Sequence, residues 1–272
     1  LKKCYNMVQT GGNVKMRIVI KVGTSTLTHP TGRMNIRRVE QLCKVISDLK
    51  NAGHEIVLVS SGAIAMGVGK LGLLKRPQDM PTKQAAAAVG QCELMDTYDR
   101  LFSGYHHTVA QILLTGSDIK NEQRRKNFHN TLFRLLELGV LPVINENDTI
   151  ATEEIVIGDN DTLGAVVAVS ASADLLILLS DIDGLYTGDP HTDPNATLIG
   201  EVREITPDIL ALGGGSVSGL GTGGMTTKLN AAKLATEAGC DMVIANGDRP
   251  ENLYAIVEGQ RIGTRFLGRK PT

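Results

Sequence analysis

Short, continuously apolar segments alternate along this chain with longer segments whose apolar residues recur at helical spacing. Residues 17–22 and 55–59 are apolar throughout or nearly so, and between them apolar side chains recur every three or four positions up to Gly53. This pattern predicts strand, helix and strand, because strands buried on both faces lack alternating polar positions. Further strands are predicted near residues 109–114, 140–144, 175–179 and 242–245. We therefore expect an α/β fold with a mainly parallel sheet covered by helices on both faces.

The remaining segments complete this outline. The apolar spacing predicts helices near residues 36–53, 82–102, 122–138, 161–173 and 226–238. Two shorter and more polar segments, residues 154–157 and 199–205, are expected to form a hairpin or the edge of the sheet.

Composition narrows the class of protein. The 272 residues are 42% hydrophobic and 21% charged, with a net charge of -1, which argues against disorder and against a basic nucleic-acid binder. The longest nearly apolar stretch, residues 165–179, contains Asp174 and is shorter than the ~20 residues that a membrane span needs. Residues 1–15 lack the pattern of a secretory signal and are expected to be an extension outside the fold. We expect a cytoplasmic protein.

Polar or small residues follow four of the predicted strands. They are residues 21–25 (KVGTS), 60–63 (SSGA), 145–148 (NEND) and 180–181 (SD). One such segment alone is most readily explained as a helix cap. Four together favour a ligand cleft, because ligands of parallel sheets bind beyond the carboxyl ends of the strands. Glycines at 23 and 62 suit an anion that approaches backbone N–H groups.

A glycine-rich segment, residues 213–228 (GGGSVSGLGTGGMTTK), runs directly into a predicted helix. Composition alone equally allows a flexible tether, but the position before a helix suits phosphate binding. Lys228 ends this segment, and Lys21 ends the first predicted strand. Lys21 either extends its ammonium group to the surface or, with Lys228, clamps a phosphoryl group in transfer. Two G-x-G-x-x-G strings are weak evidence for a dinucleotide site in a chain with 30 glycines.

Five motifs together resemble the glutamate-phosphorylating members of the amino acid kinase family. In chain order they are KVGTS (21–25), VSSGAI (59–64), NEND (145–148), GDND (158–161) and GGMTTK (223–228). The resemblance runs from about Met16 to the C-terminus. It implies a three-layer α/β/α sandwich over residues 16–272, with a glutamate-binding lobe at about 16–173 and an ATP-binding lobe at about 174–272. The implied reaction transfers a phosphoryl group from ATP to the γ-carboxylate of L-glutamate and opens proline biosynthesis.

The resemblance also implies roles for particular residues. Ser61, Asp148 and Asn160 are expected to bind glutamate, with Asp148 suited to its ammonium group and Asn160 to a carboxylate. Lys21 and Lys228 are expected to stabilise the transferring phosphoryl group, and Asp161 to orient both lysines. The residues expected to bind ATP are Lys21, Ser180, Asp181, Thr222, Gly223, Gly224, Met225, Thr226, Thr227 and Lys228. Mg²⁺ is expected to bridge the phosphates, without an assigned protein ligand.

Alternatives remain open at this point. The chain resembles other members of the family, including N-acetylglutamate kinase, aspartokinase and uridylate kinase, and a regulator that binds ligands without catalysis is a further possibility. Asp148 favours an acceptor with a free ammonium group, and the two lysines favour an enzyme. The resemblance further implies a homo-oligomer, a dimer or tetramer, with proline as a feedback inhibitor. Many bacterial members continue into a PUA domain, which we expect this form to lack because the sequence ends at Thr272.

Overall fold

The computed structural model describes residues 15–150, 159–190, 192–214 and 224–269. In these ranges the strands are β1 (Arg17–Val22), β2 (Glu55–Val59), β3 (Val109–Leu114), β4 (Leu141–Glu146), β5 (Leu175–Ser180), β6 (Glu201–Val202), β7 (Asp241–Asn246) and β8 (Thr264–Phe266). The longer helices are α2 (Ile36–Asn51), α3 (Ala63–Leu71), α4 (Met80–Ser103), α6 (Glu122–Glu137), α7 (Asn160–Ser170) and α9 (Met225–Glu237). Short helices are α1 (Thr24–Leu27), α5 (Gly116–Lys120), α8 (Pro207–Ala211) and α10 (Asn252–Val257).

The strands form one sheet in the order β3-β4-β2-β1-β5-β7-β8-β6. The six strands from β3 to β7 pair in parallel, β8 runs antiparallel to β7, and β6 pairs in parallel with β8. Because β1 lies between β2 and β5, the carboxyl ends of these three strands meet at the centre of one edge of the sheet. This edge is where the polar segments of the sequence converge.

Alternate residues of the central strands enter two separate hydrophobic clusters. Ile18 and Ile20 of β1 belong to one cluster with side chains from α2, α4 and α10. Val19 belongs to the other, with side chains from α6, α7 and α9. Both clusters are mostly aliphatic, as the scarcity of aromatic residues indicates. The α/β/α sandwich with a mainly parallel sheet is therefore confirmed.

Helices α3 and α4 pack with unusually close backbones. A Cβ atom added at Gly67 of α3 would lie 1.8 Å from the carbonyl oxygen of Ala86 in α4. A Cβ atom at Gly90 of α4 would lie 1.7 Å from the carbonyl oxygen of Ala63. Since only glycine leaves room for such an approach, Gly67 serves helix packing. The glycine string that starts at Gly67 thus has a structural explanation.

The structure differs from the sequence expectation in several elements. Residues 63–71 form helix α3 and residues 264–266 form β8, and neither element is among those predicted from the sequence. Strand β4 continues through the polar pair Asn145 and Glu146 instead of ending at residue 144. The predicted edge segment contains β6, whereas residues 154–157 and 1–14 lie outside the described residues. Among the helices described, none is both long and apolar enough to cross a membrane.

Candidate active site

A cleft of about 480 Å³ opens at the carboxyl ends of β1, β2, β4 and β5. The four polar strand ends singled out in the sequence contribute Lys21, Ser61, Asn145 and Ser180 to its lining. Its wall also includes side chains that are far apart in sequence, namely Asp148, Asn160, Asp161, Asp181 and Lys228. The structure therefore places eight of the predicted site residues around one cavity.

The floor of the cleft holds a buried ion triad. Lys21 Nζ lies 2.7 Å from Asp161 Oδ1, and Lys228 Nζ lies 3.0 Å from Asp161 Oδ2. Lys21 is 7% exposed, Lys228 4% and Asp161 1%, so the three charges are largely removed from water. Three different elements supply them: β1, the first turn of α7 and the first turn of α9. Gly164 of α7 makes room for the lysine of β1, since a Cβ there would be 3.3 Å from Lys21 Cβ.

Asp161 is held in its ionised form. Burial alone raises the pKa of a carboxyl group, but the charges and hydrogen bonds of Lys21 and Lys228 outweigh burial and lower the pKa of Asp161 to about 2. Thr227 Oγ1 donates a further hydrogen bond of 2.9 Å to Asp161 Oδ2. A location in the first helical turn also favours a negative charge. With two ammonium groups and one carboxylate, the triad carries a net charge of +1.

The start of α9 lies beside this triad. Thr227 Oγ1 contacts both Asp161 and the carbonyl oxygen of Gly224, which precedes the helix. Thr226 Oγ1 instead donates to the carbonyl oxygen of Gly213 at 2.7 Å, and Met225 packs against the hydrophobic core. Within the described residues, Lys228 lines the cleft while Met225 and Thr226 do not. The predicted ATP ligands Thr222 and Gly223 lie outside the described residues.

Polar side chains around Asn160, which directly precedes Asp161 in α7, form a hydrogen-bonded group. Asn160 Nδ2 lies 2.8 Å from Ser61 Oγ, 3.0 Å from the carbonyl oxygen of Ser60 and 3.2 Å from Asn145 Oδ1. Gly62 follows Ser61 with φ +94°, a conformation that requires glycine, and allows α3 to begin at the cleft wall. Asn145 was part of a predicted segment but was not selected individually, because its polar side chain resembles that of any turn residue.

Asp148 lines the cleft in a partly buried position after β4. Burial and the nearby charge of Glu146 raise the pKa of Asp148 to about 6, although the charge of Arg76 acts in the opposite direction. Two carboxylates at one end of the cleft create a negative potential that suits a cationic group of a ligand. The other end, at the ion triad, is positive.

Ser180 and Asp181 line the cleft at the end of β5, as predicted. Ser180 is buried, Asp181 is exposed, and Ser180 Oγ donates a hydrogen bond of 3.0 Å to Asp181 Oδ1. Over the part of the chain that the structure describes, no group of three or more His, Cys, Asp and Glu side chains is arranged to hold a metal. Asp161, the most buried carboxylate of the cleft, is already paired with two lysines.

Comparison with known proteins gives a consistent result. A sequence model of the amino acid kinase family matches residues 16–246. The chain is 53% identical over 258 residues to glutamate 5-kinase of Clostridium perfringens, a match that covers 93% of this chain and 96% of the relative. It is 52% identical to glutamate 5-kinase of Moorella thermoacetica, where the match covers 93% of this chain and 67% of the relative. Among solved structures, carbamate kinase from Giardia lamblia bound to AMP-PNP shares the fold, with a TM-score of 0.66, 16% identity and coverage of 94% and 100% of the two chains.

Proposed function

The chain belongs to the amino acid kinase family, and on that premise we propose that it transfers the γ-phosphoryl group of ATP to the γ-carboxylate of L-glutamate. The products are γ-glutamyl phosphate and ADP, and the reaction is the first step of proline biosynthesis. Relatives that are 52–53% identical over almost the whole chain carry the name glutamate 5-kinase. In this chain itself, the single observation that carries the proposal is the buried triad of Lys21, Asp161 and Lys228.

The acceptor needs no catalytic base. A glutamate side chain has a pKa of about 4.3 in water, so its γ-carboxylate is already a nucleophile at neutral pH. Phosphoryl transfer then depends on positioning and on stabilising the charge that spreads over the transferring group. A site with two buried lysines at its floor matches these demands.

The triad supplies the positive charge. Lys21 and Lys228 approach the transferring group from β1 and from α9, and each ammonium group retains hydrogens beyond those given to Asp161. Asp161 fixes both lysines in place through its two oxygens. Because its pKa is lowered to about 2, it holds the lysines over the whole physiological pH range. We propose this positioning role for Asp161 and the stabilising role for the lysines.

The negative end of the cleft recognises the amino acid. Asp148 pairs with the α-ammonium group, supported by the potential of Glu146, and Ser61 and Asn160 make hydrogen bonds to the same ligand. An N-acetylated amino acid or a nucleotide lacks the ammonium group and would leave the Asp148 carboxylate without a partner. This arrangement favours free glutamate over the acceptors of other kinases in the family.

ATP occupies the side formed by β5 and α9 in this proposal. Ser180, Asp181 and Lys228 line the cleft there, and Met225, Thr226 and Thr227 of the predicted ATP-binding segment form the first turn of α9. When bound with ATP, Mg²⁺ would neutralise part of the negative charge of the phosphates. We assign it no protein ligand, because Mg²⁺ usually keeps several waters and binds largely to substrate phosphates.

Three further expectations belong to the same proposal. The enzyme works in the cytoplasm, where its co-substrate ATP is abundant. It assembles as a dimer or tetramer, and proline inhibits it. These expectations rest on the resemblance to the family, and the oligomeric state and the inhibition by proline can be checked with the purified chain.

The deciding experiment is an ATP-dependent assay in which hydroxylamine traps the acyl phosphate. Glutamate, aspartate and N-acetylglutamate are compared as acceptors at equal concentration. We expect turnover with glutamate well above that with the other two. A preference for either alternative would refute the proposed substrate, and ATP binding without turnover of any acceptor would indicate a regulator.

A further inference from the structure

A row of four side-chain amides connects the edge of the sheet with the cleft. Gln91 Nε2 of α4 lies 3.2 Å from Gln111 Oε1 of β3, and Asn145 Nδ2 lies 2.9 Å from Gln91 Oε1. Asn160 Nδ2 in turn lies 3.2 Å from Asn145 Oδ1. The middle members are buried: Gln91 is 8% exposed and Asn145 1%. Gln91 and Asn145 therefore each donate to one neighbour and accept from the other, whereas Gln111 only accepts and Asn160 only donates within the row.

Backbone groups determine the direction of this row. Glu146 donates its N–H to Asn145 Oδ1 at 2.9 Å, and a backbone N–H can only donate. Asn145 must consequently present Nδ2 to Gln91, whose Oε1 accepts it. At the cleft, Asn160 faces the backbone carbonyl of Ser60, which can only accept, so Nδ2 of Asn160 must lie on that side. The two backbone groups and the hydrogen bonds between the side chains thus agree on one orientation for Gln91, Asn145 and Asn160.

This direction decides what Asn160 offers to a ligand. Its Nδ2 has two hydrogens and faces three acceptors, the Ser60 carbonyl, Ser61 Oγ and Asn145 Oδ1, so it has no donor left for a ligand, whereas its Oδ1 has no hydrogen-bond partner among the described residues. Asn160 lines the cleft together with Asp148. Both residues therefore present oxygen acceptors, a combination that suits a group with several N–H donors.

We propose that Gln91 is a positioning residue that, through Asn145, keeps the Asn160 carbonyl oxygen turned towards the α-ammonium group of the acceptor. The inference rests on the proposed function and deepens it, because it identifies how the cleft selects an amino acid. A carboxylate at Asn160, as the sequence suggested, would need the Nδ2 group that the row already engages. Gln91 itself touches no ligand in this account.

The position of Gln91 makes it suited to this task. It follows Gly90, where the backbone of α4 approaches the carbonyl oxygen of Ala63 in α3 so closely that a Cβ would lie 1.7 Å away. Such packing prevents α4 from sliding, so the Gln91 amide has a defined location. Without it, Asn145 would keep a buried donor without a partner, and rotation of the Asn145 amide would remove the acceptor that Asn160 uses.

The test compares the full-length wild type with Gln91→Met, which preserves size and removes the amide. Acyl phosphate formation is measured with glutamate and with glutarate, which is glutamate without its ammonium group. We expect KM for glutamate to rise about tenfold, the equivalent of about 1.4 kcal/mol, because a hydrogen bond to a charged group is weakened. KM for glutarate and KM for ATP should stay within about twofold, since neither ligand uses this acceptor.

Two control variants separate positioning from stability. Thr97→Val removes another buried polar group of α4, whose Oγ1 donates to the carbonyl oxygen of Glu93 at 2.9 Å, and should leave selectivity unchanged. Gln111→Met alters the exposed end of the row. It should raise KM for glutamate relative to KM for glutarate, as Gln91→Met does, but by a smaller factor. If Gln91→Met does not fold, the result with Gln111→Met tests the inference instead. Equal losses for glutamate and glutarate, or unchanged selectivity in a folded variant, would overturn the inference. Absence of glutamate turnover in the wild type would instead overturn the proposed function.

Discussion

Replacement of Lys228 by methionine separates the catalytic from the structural contribution of the ion triad. Methionine fills a similar volume and removes one ammonium group. The net charge of the triad then falls from +1 to 0, while Asp161 keeps Lys21 at 2.7 Å. A buried neutral pair remains, so the fold loses little. The transferring phosphoryl group, however, loses one of its two proposed cationic partners.

The magnitudes follow from this charge balance. Loss of one preorganised group that stabilises transition-state charge costs about 10²–10³ in kcat, or about 3–4 kcal/mol. Asp161→Asn is the contrasting variant, because it leaves two buried ammonium groups around a neutral amide. Breaking a buried ion pair in this way destabilises a protein by about 3–5 kcal/mol. We therefore expect Lys228→Met to be nearly as stable as the wild type and almost inactive, and Asp161→Asn to be impaired in both respects.

The assay is acyl phosphate formation at saturating ATP and glutamate, combined with urea unfolding followed by circular dichroism. KM for glutamate should change little in Lys228→Met, because Lys228 lies on the proposed ATP side of the cleft. A kcat within about threefold of the wild type would refute the stabilising role of Lys228, since it would correspond to well under 1 kcal/mol. Equal destabilisation of the two variants would refute the charge argument.

Two other predictions follow from the site and from the packing of the helices. Burial and the charge of Glu146 raise the pKa of Asp148 to about 6, so Asp148 should lose its negative charge as the pH falls through 6, and KM for glutamate should rise at acidic pH. Asp148→Asn should raise KM for glutamate at pH 8 and abolish this pH dependence. A pH profile of KM that the variant leaves unchanged would contradict the assignment of Asp148 to the ammonium group. Gly90→Ala should lower the free energy of unfolding by about 3 kcal/mol or more, because the added Cβ would collide with the carbonyl oxygen of Ala63. Gly200→Ala is the control, since the space around Gly200 is open, and it should change the free energy of unfolding little in the same urea titration.

The fold was predictable where sequence periodicity had one explanation. Strands β1, β2 and β5 are apolar over their buried length except for Lys21 and Ser180 near the cleft, and this pattern identified them. Helix α3 was missed because Gly67 and Gly69 lower the intrinsic helical preference, and its contact with α4 compensates for that loss. Strand β8 has only three residues, too few to show a period. Strand β4 was expected to end too early because its last two residues are polar and contribute to the cleft.

Part of the candidate site was predictable, since eight of the selected residues line one cleft, whereas Met225 and Thr226 do not. Lys21 and Lys228 were conspicuous because an ammonium group at the end of an apolar strand or glycine-rich segment needs a partner. The part played by Gln91 gave no local signal, since it lies 54 positions before Asn145 and resembles any polar residue of a helix. Hydrogen-bond direction depends on which backbone groups face each amide, and no sequence pattern encodes that. Tertiary structure alone brings these amides together.

The triad also links chemistry to the completion of folding. Its members come from residues 21, 161 and 228, so the site is complete only when β1, α7 and α9 have all docked. A chain still emerging from the ribosome, or a fragment cut before α9, has one ammonium group beside Asp161 and lacks the second. If the triad has the role proposed above, we expect such species to transfer phosphoryl groups far more slowly than the complete chain. Activity in this protein thus reports that distant parts of the chain have assembled.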